Sequence, residues 1–265
     1  MSIIYRPAGR AGEYSEYAVN LYGGCDHHCP YCYVPLARHI TPEKFYAAGA
    51  TPYKDVLKKL AADCRRLQGT ITTPIMLSFT SDAYQLSEVE HQTTRHAIRE
   101  LKDHGFRVCI LTKGGMRATR DFDLLDAGDV MAATLTLINE ADSRKWEPQA
   151  ALPSERIEFL KAAKQHGMET WASLEPVIDP DQTLKLIEAT RGIIDLYKIG
   201  TINYCKAVSG KIDWSAFVNE AVAAVIDGDQ AYYLKDDLFK FADPTTPQSH
   251  NPHRVCIMHS ETNED

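Results

Sequence analysis

Three closely spaced cysteines are the residues of this chain best suited to hold a metal. Cys25, Cys29 and Cys32 form a C-x3-C-x2-C pattern directly after an extended stretch that ends in Gly23-Gly24. This spacing brings three thiolates to one face of a short loop. Iron–sulfur clusters are held by thiolates and usually take four of them. A set of three, with no fourth at a regular offset, indicates a [4Fe–4S] cluster in which one iron stays open.

Three other uses of these cysteines stay open on spacing alone. A disulfide needs a partner and an oxidising compartment, whereas residues 1–6 lack the apolar core of a signal peptide. A structural zinc site needs a fourth ligand, and His27 or His28 could supply it, although no second C-x2-C unit follows. The cysteines could also be ordinary buried apolar residues. The odd total of seven cysteines fits a reducing compartment and a metal-binding or catalytic role.

The charge balance restricts the classes of partner. The net charge is -7, with 25% charged residues. This is unfavourable for wrapping a long duplex, because neutralising phosphates takes clustered Lys and Arg. A local basic groove or a small nucleotide substrate remains compatible with it. The apolar runs are far shorter than a membrane span, so we expect a cytoplasmic protein with no membrane partner.

Strand-like and helix-like segments alternate about six times along the chain. We expect one helix to start at Thr51, with Pro52 as its first residue, and another at Ser87, with Glu90 completing a capping box. Such alternation predicts an α/β fold with a parallel sheet and crossover helices, although the pattern does not separate a barrel from a doubly wound sheet. The expected organisation is a surface lead-in (residues 1–16), one α/β domain (17–240) and a tail (241–265), in which 255–258 could add a short strand.

The cysteine pattern, with Tyr31 just before its last member, resembles the radical S-adenosylmethionine (SAM) superfamily. Further stretches resemble one branch of it, the spore photoproduct lyase-like or DNA repair photolyase group. The resemblance runs in order from about residue 17 to residue 180, and its stretches are 21–25, 80–85 with Glu88, 94–95, 111–113, 120–125 and 147–148 with Pro153 and Arg156. The chain departs from the branch at Ala83, where a proline is usual, which changes loop stiffness more than chemistry.

The resemblance implies a partial (β/α)6 barrel of the TIM type. It also implies that Cys25, Cys29 and Cys32 bind three irons of a [4Fe–4S] cluster, while SAM chelates the fourth. Reduction by a donor such as flavodoxin or ferredoxin would split SAM into methionine and a 5′-deoxyadenosyl radical, which abstracts hydrogen from the substrate. The branch is functionally mixed, and it suggests a thymine-type nucleobase in DNA or a nucleotide, for repair or base modification.

Two alternatives to a nucleobase enzyme stay open. One is a radical SAM isomerase, aminomutase or maturase that acts on an amino-acid-like or peptide substrate. The other is a non-catalytic iron–sulfur or zinc protein that uses cysteine ligation for folding alone.

Residues at the carboxyl ends of barrel strands should face the site. The expected cofactor-binding residues are Gly23, Gly24, Tyr31, Thr80, Ser81, Asp82, Lys113, Thr136 and Glu175. The two glycines would allow a close backbone approach near the cluster. For the group that exchanges hydrogen with the substrate, Cys205 at the end of the sixth strand is the first candidate and Tyr204 the second. Cys64 is expected in a helix core instead.

Overall fold

A mostly parallel sheet organises residues 2–47 and 49–250, the part of the chain that the computed structural model describes. Its strands, together with a separate two-stranded ribbon, are β1 Ile4–Tyr5, β2 Tyr17–Val19, β3 Tyr22–Gly23, β4 Thr51–Pro52, β5 Ile75–Leu77, β6 Val108–Thr112, β7 Val130–Thr134, β8 Glu169–Val177, β9 Leu196–Thr201, β10 Ala231–Leu234 and β11 Ser249–His250. The helices are α1 Val34–Ala37, α2 Pro42–Ala47, α3 Val56–Leu67, α4 Glu88–His91, α5 Thr93–Asp103, α6 Glu140–Trp146, α7 Pro153–Gln165, α8 Pro180–Ala189, α9 Lys206–Ser209, α10 Trp214–Asp227 and α11 Asp236–Phe239. Short 3-10 helices span Gly9–Ala11 and Gly115–Leu124.

The order of the strands confirms the expected α/β class and the partial barrel. In the described chain, the main sheet runs β1-β2-β5-β6-β7-β8-β9-β10-β11. The pairs from β2 to β10 are parallel, and β1 and β11 add antiparallel edges. Helices connect successive parallel strands, as the hand and length of such crossovers require. The carboxyl ends of these strands therefore share one rim.

Side chains of the parallel strands alternate between two apolar layers, because successive residues of a strand point to opposite faces. Ile75, Leu77 and Ile110 belong to the large layer beneath the helices, whereas Met76 and Trp171 belong to a smaller layer on the inner face of the sheet. The residues of both sets are almost fully buried. This continuous burial fixes the strand register and, with it, the residues that reach the rim.

The expected helix start at Thr51 is wrong. Thr51–Pro52 forms β4, which pairs antiparallel with Tyr22–Gly23, and the helix α3 begins only at Val56. Proline is tolerated at the first position of a helix but also on an edge strand, where its missing N–H is not needed. The sequence pattern fits both positions, and pairing with the segment before the cysteines decides between them.

The single helix expected from Ser87 is divided in two. Gln92 has a left-handed φ of 50° and separates α4 from α5. The hydroxyl of Ser87 does not cap the helix but donates to Asp26 Oδ2 at 2.7 Å. A tertiary partner in the cysteine loop thus replaces the local capping interaction.

Part of the expected lead-in joins the sheet. Ile4–Tyr5 pairs with β2, and Asp63 of α3 accepts hydrogen bonds from the backbone amides of Ile3 and Ile4 at 2.6 and 2.9 Å. The short strand expected at 255–258 lies outside the described residues, and the division of the chain into three parts stays a prediction. No helix in the described ranges is long and apolar enough to cross a membrane.

Candidate active site

A cavity of about 260 Å³ lies at the carboxyl ends of the parallel strands. One wall carries Cys25, Cys29 and Cys32, which the sequence placed on a single loop. The rim of the sheet supplies residues that follow β5, β6 and β9 and residues in the last part of β8, as expected for a barrel enzyme. The other residues around it are mainly aromatic or polar and include Tyr14, Tyr31, Tyr33, Tyr46, Phe79, Thr134, Ser173, Asn203 and Tyr204.

The cysteine loop is held by backbone geometry and by polar contacts. Gly24 has a φ of +87°, and a Cβ on it would lie 2.2 Å from the carbonyl oxygen of Gly49, so the chain requires glycine here. The amide of Cys32 donates to the carbonyl of Cys29 at 3.0 Å, and the hydroxyl of Tyr46 donates to the same carbonyl at 2.8 Å. These contacts fold the loop back so that its three thiols face one space.

The thiols fit a [4Fe–4S] cluster with three protein ligands. Burial raises the pKa of Cys29 to about 12, and Glu147 and Cys32 reinforce the shift while Lys113 opposes it. Neutral thiols crowded together become thiolate ligands when a cationic cluster supplies the compensating charge. Among the described residues no fourth cysteine lines the cavity. The donor set therefore leaves one coordination position of the cluster to a ligand other than cysteine.

A buried ion pair between Arg156 and Glu147 contacts the cysteine loop through Tyr31. Arg156 Nη1 lies 2.6 Å from Glu147 Oε2, and both side chains are about 99% buried or more. Glu147 also accepts from the hydroxyl of Tyr31, and Lys113 Nζ lies 5.7 Å from the centroid of the Tyr31 ring. Arg156 is fixed in turn by the carbonyl oxygen of Thr134 at 2.9 Å. Glu147 and Arg156 thus position Tyr31 against the cavity. Both residues belong to the stretches that carry the resemblance, which gave them no role.

Asp82 lines the cavity, but its carboxylate is already engaged by the chain. It accepts from Thr112 Oγ1 at 2.5 Å and from the amide of Lys113 at 2.7 Å, and it lies 3.1 Å from His27 Nε2. Burial opposes ionisation of Asp82, but the neighbouring His27 and these hydrogen bonds lower its pKa below the usual range. Asp82 therefore connects the end of β6 to the cysteine loop.

The wall that includes the end of β8 is a network of charged and polar side chains. Glu175 accepts from the hydroxyl of Tyr14, pairs with Arg10, and lies 3.2 Å from Lys235 Nζ. Arg10 also pairs with Asp237 at 2.5 Å. Lys235 Nζ also lies 3.2 Å from Glu13 Oε2. Two cations thus face three carboxylates, and the positive charges of this wall are compensated.

Sequence reasoning missed Arg10, Tyr14, Lys235 and Asp237 of this wall. Arg10 and Tyr14 belong to the segment expected on the surface, and their polar types gave no signal of a role. Tyr14 packs against Trp171, with ring centroids 5.7 Å apart, and lies 4.1 Å below Lys235 Nζ. Contacts between residues more than 150 positions apart are what bring this segment into the cavity.

The structure separates the sequence candidates into two groups. Those that line the cavity are Cys25, Cys29, Tyr31, Cys32, Thr80, Ser81, Asp82, Lys113, Glu175 and Tyr204. Those that do not are Gly23, Gly24, Thr136 and Cys205. Strand β7 ends at Thr134, and Thr134 is the threonine of this strand that lines the cavity. Thr136 lies beyond the end of the strand, so the alternation of side chains along β7 does not determine its direction. Cys205 is partly buried and packs against the helix-side core. The roles assigned to all these residues stay predictions.

Comparison of the sequence with known families gives one extended match. A model of the radical SAM superfamily matches residues 19–192. The uncharacterized protein MJ0683 of Methanocaldococcus jannaschii is 31% identical over 169 residues, which are 63% of this chain and 62% of that protein. The uncharacterized protein ORF301 of Acidianus two-tailed virus is 26% identical over 180 residues, 63% of this chain and 57% of that protein. The matches thus span about six-tenths of these relatives.

Comparison of the folds gives similar solved structures at low sequence identity. Spore photoproduct lyase complexed with dinucleoside spore photoproduct has a TM-score of 0.62 and 14% identity, over 83% of this chain and 76% of that chain. Streptococcus suis SuiB bound to S-adenosylmethionine has a TM-score of 0.62 and 12% identity, over 84% of this chain and 51% of that chain. At such identities the likeness concerns the fold alone.

Proposed function

Because the chain belongs to the radical SAM superfamily, we propose that it is an enzyme that abstracts hydrogen from a nucleobase, in single-stranded DNA or a nucleotide. Its cofactors are a [4Fe–4S] cluster and SAM, and Cys25, Cys29 and Cys32 are the residues that would hold the cluster. When bound and reduced, this pair supplies a 5′-deoxyadenosyl radical. The protein has to orient SAM and substrate and to exclude water from the cavity.

Three residues that line the cavity are proposed to orient SAM. Ser81 Oγ is buried and has no hydrogen-bond partner within the described chain, so it is available to a polar ligand. Thr80 lies beside it, and Lys113 offers a cation for a carboxylate group on the side of the cavity near Cys29. Asp82 binds Thr112 and the backbone amide of Lys113 and lies beside His27, so we assign it the role of positioning these residues.

The single observation that carries the nucleobase proposal is the charge balance of the wall that includes the end of β8. The two cations of this wall, Arg10 and Lys235, are already paired with carboxylates, so the wall offers hydrogen-bonding groups but no uncompensated positive charge. Tyr33 and Tyr204 add aromatic rings that are 44% and 75% exposed. A flat, neutral heterocycle that stacks and forms hydrogen bonds suits such a cavity better than a phosphate or a carboxylate.

Spore photoproduct lyase supports this assignment only by its fold. We extend its bound ligand, a dinucleoside spore photoproduct, to this chain as a substrate class and not as a specific lesion. A peptide or amino-acid substrate is the competing assignment, and it would bring a charged amino or carboxylate group, or a polar backbone, into the cavity.

The test uses protein with an anaerobically reconstituted cluster, SAM and a chemical reductant. Short thymidine oligonucleotides, with and without ultraviolet damage, and free thymidine nucleotides are deuterated at both carbon-bound positions of the base, C6 and the methyl group. We expect 5′-deoxyadenosine that carries deuterium and a change in the mass of the base. Cleavage of SAM without transfer of deuterium from any nucleobase substrate, in DNA or in free nucleotides, would contradict the nucleobase assignment and leave the radical SAM activity intact.

A further inference from the structure

A second group of side chains of the types that ligate metals lies on the helices outside the sheet. Cys64 belongs to α3, Glu100 belongs to α5, and His104 follows the last residue of α5. One ligand atom from each residue lies within 4.8 Å of the other two. Glu100 and His104 are four residues apart and therefore share one face of the helix. None of the three lines the cavity that carries the other cysteines.

The surroundings of this group are closed on the protein side and open on the solvent side. Cys64 is fully buried in the helix-side core, whereas the side chains of His104 and Glu100 are 20% and 30% exposed. His104 Nδ1 lies 2.9 Å from the carbonyl oxygen of Glu100 and 3.4 Å from its carboxylate. A carboxylate, an imidazole and a thiol thus meet at one point between α3 and the end of α5.

We propose that Cys64, Glu100 and His104 bind a zinc ion, with water as the fourth ligand. Zinc takes thiolate, imidazole and carboxylate ligands in tetrahedral sites, and a site with three protein ligands keeps one position open. Bond lengths of about 2.0–2.3 Å place tetrahedral ligand atoms roughly 3.3–3.7 Å apart. The upper bound of 4.8 Å between the present atoms is within reach of small rotations of Glu100 and His104, which are partly exposed.

The mixed donor set favours zinc over the other common divalent ions. Magnesium and calcium prefer oxygen ligands, so the thiolate and the imidazole disfavour them. The ion would connect α3 to α5, the helices that precede and follow β5. The strand between them leads to Thr80 and Ser81 at the cavity. The site would therefore stabilise this side of the barrel without entering the chemistry.

The test measures zinc and iron in the same sample. Protein with the reconstituted cluster is incubated with zinc chloride, passed over a desalting column and analysed for both metals by mass spectrometry. We expect about one zinc per chain in addition to the iron of the cluster. Glu100→Gln and Cys64→Ala should each reduce the retained zinc at least about tenfold with the iron content unchanged, since each removes one of the three ligands. His96→Ala, a change of an exposed histidine on the same helix, and Cys109→Ala serve as matched controls that retain it.

The Cys64 variant could lose zinc because it misfolds, so a thermal measurement on the wild type and on Glu100→Gln tests the site independently. Zinc should raise the Tm of the wild-type protein and leave the Tm of Glu100→Gln unchanged, because only a ligand that binds the folded state stabilises it. Wild-type protein that retains no zinc overturns the proposal. Zinc that is retained equally by both ligand variants overturns it as well, and a matching loss of iron would then locate the zinc at Cys25, Cys29 and Cys32.

Discussion

At the scale of single residues, the cysteine loop depends on one glycine as well as on three thiols. Gly24→Ala places a Cβ against the carbonyl oxygen of Gly49 in a backbone conformation that alanine disfavours. The left-handed conformation alone costs about 1–2 kcal/mol, and the overlap adds about 1–3 kcal/mol. We expect a lower Tm and a reduced iron content after reconstitution.

The matched control for this substitution is Gly69→Ala. Gly69 has a φ of +74°, but a Cβ there meets nothing within 4 Å. This variant should show only the backbone cost of about 1–2 kcal/mol and should bind iron normally. Equal losses of iron in both variants would mean that the close approach to Gly49 is unimportant for the loop.

The position of Tyr204 predicts which neighbour exchanges hydrogen with the substrate. Tyr204 lines the cavity, whereas Cys205 packs against the core. Tyr204→Phe should therefore lower product formation at least about tenfold, the size of an effect of about 1.4 kcal/mol on the barrier, while SAM cleavage continues. Product and 5′-deoxyadenosine are quantified in the same reaction.

Cys205→Ser is the comparison, because this side chain does not reach the cavity. It should leave the ratio of product to 5′-deoxyadenosine unchanged. If Cys205→Ser lowers the ratio of product to 5′-deoxyadenosine and Tyr204→Phe leaves it unchanged, Cys205 is the group that exchanges hydrogen with the substrate.

At the scale of elements, the amino-terminal segment completes the cavity and is anchored through Asp63. The carboxylate of Asp63 accepts from the amides of Ile3 and Ile4 and pairs with Arg66 at 2.7 Å. Burial opposes its ionisation, but Arg66 and the two amides outweigh burial and lower its pKa. This anchor holds β1 on the edge of the sheet, and the same segment carries Arg10 into the cavity wall.

The lowered pKa of Asp63 predicts a pH-dependent stability. The pKa of Asp63 is lower in the folded state than in the unfolded state, in which an aspartate has a pKa of about 3.9. The stabilisation is therefore complete well above pH 3.9 and is lost as the pH falls through the lower folded pKa. Asp63→Asn should reduce the free energy of unfolding by about 1–3 kcal/mol at pH 7, and the difference from wild type should shrink below about pH 3.9.

Urea unfolding of the metal-free chain at several pH values measures this difference. Asp103→Asn, a change at an exposed position of α5, is the control and should have little effect at any pH. A difference between wild type and Asp63→Asn that stays constant down to pH 2 would show that the charge of Asp63 does not stabilise the fold.

The sequence predicted those parts of the site that depend on local spacing. The three cysteines and the strand-end residues Thr80 and Lys113 follow from a motif and from strand–helix alternation, and the structure brings them to one cavity. Arg10 was not predictable in this way, because its neighbours in the wall are Glu175 and Asp237, which are distant in sequence. Local patterns fix strands and loops, but they do not show where a polar segment docks.

The same distinction explains the error at Pro52. Its local preference fits a helix start and an edge strand equally, and the partner strand Tyr22–Gly23 selects the second. Thr136 lies outside the residues that line the cavity for a related reason, since the alternation used to place it ends with the strand at Thr134. Sequence reasoning is therefore strongest where a strand or loop is determined by its own residues.

At the scale of the whole molecule, the charge distribution constrains how a nucleic acid could be bound. The chain carries 36 acidic residues against 29 Lys and Arg. The cations of the cavity wall, Arg10 and Lys235, are paired with carboxylates. Arg38, near the cavity, donates to the hydroxyl of Tyr53 and lies 3.3 Å from Thr80 Oγ1. Carboxylates thus compensate the cations of the wall, whereas the hydroxyl partners of Arg38 leave its charge available, so we expect only a few phosphates to be neutralised near the cavity.

This distribution predicts that binding of a thymidine oligonucleotide depends weakly on salt. Each phosphate that a protein neutralises on a single strand contributes a slope of about −0.7 to log Kobs against log[salt]. With base stacking as the main source of affinity, we expect a slope no steeper than about −2, equivalent to roughly three phosphates. Fluorescence anisotropy from 50 to 300 mM salt, with holoenzyme and a labelled oligonucleotide, measures it. A steeper slope would mean that a basic surface carries the binding, and the base-centred interpretation of the cavity would then be wrong.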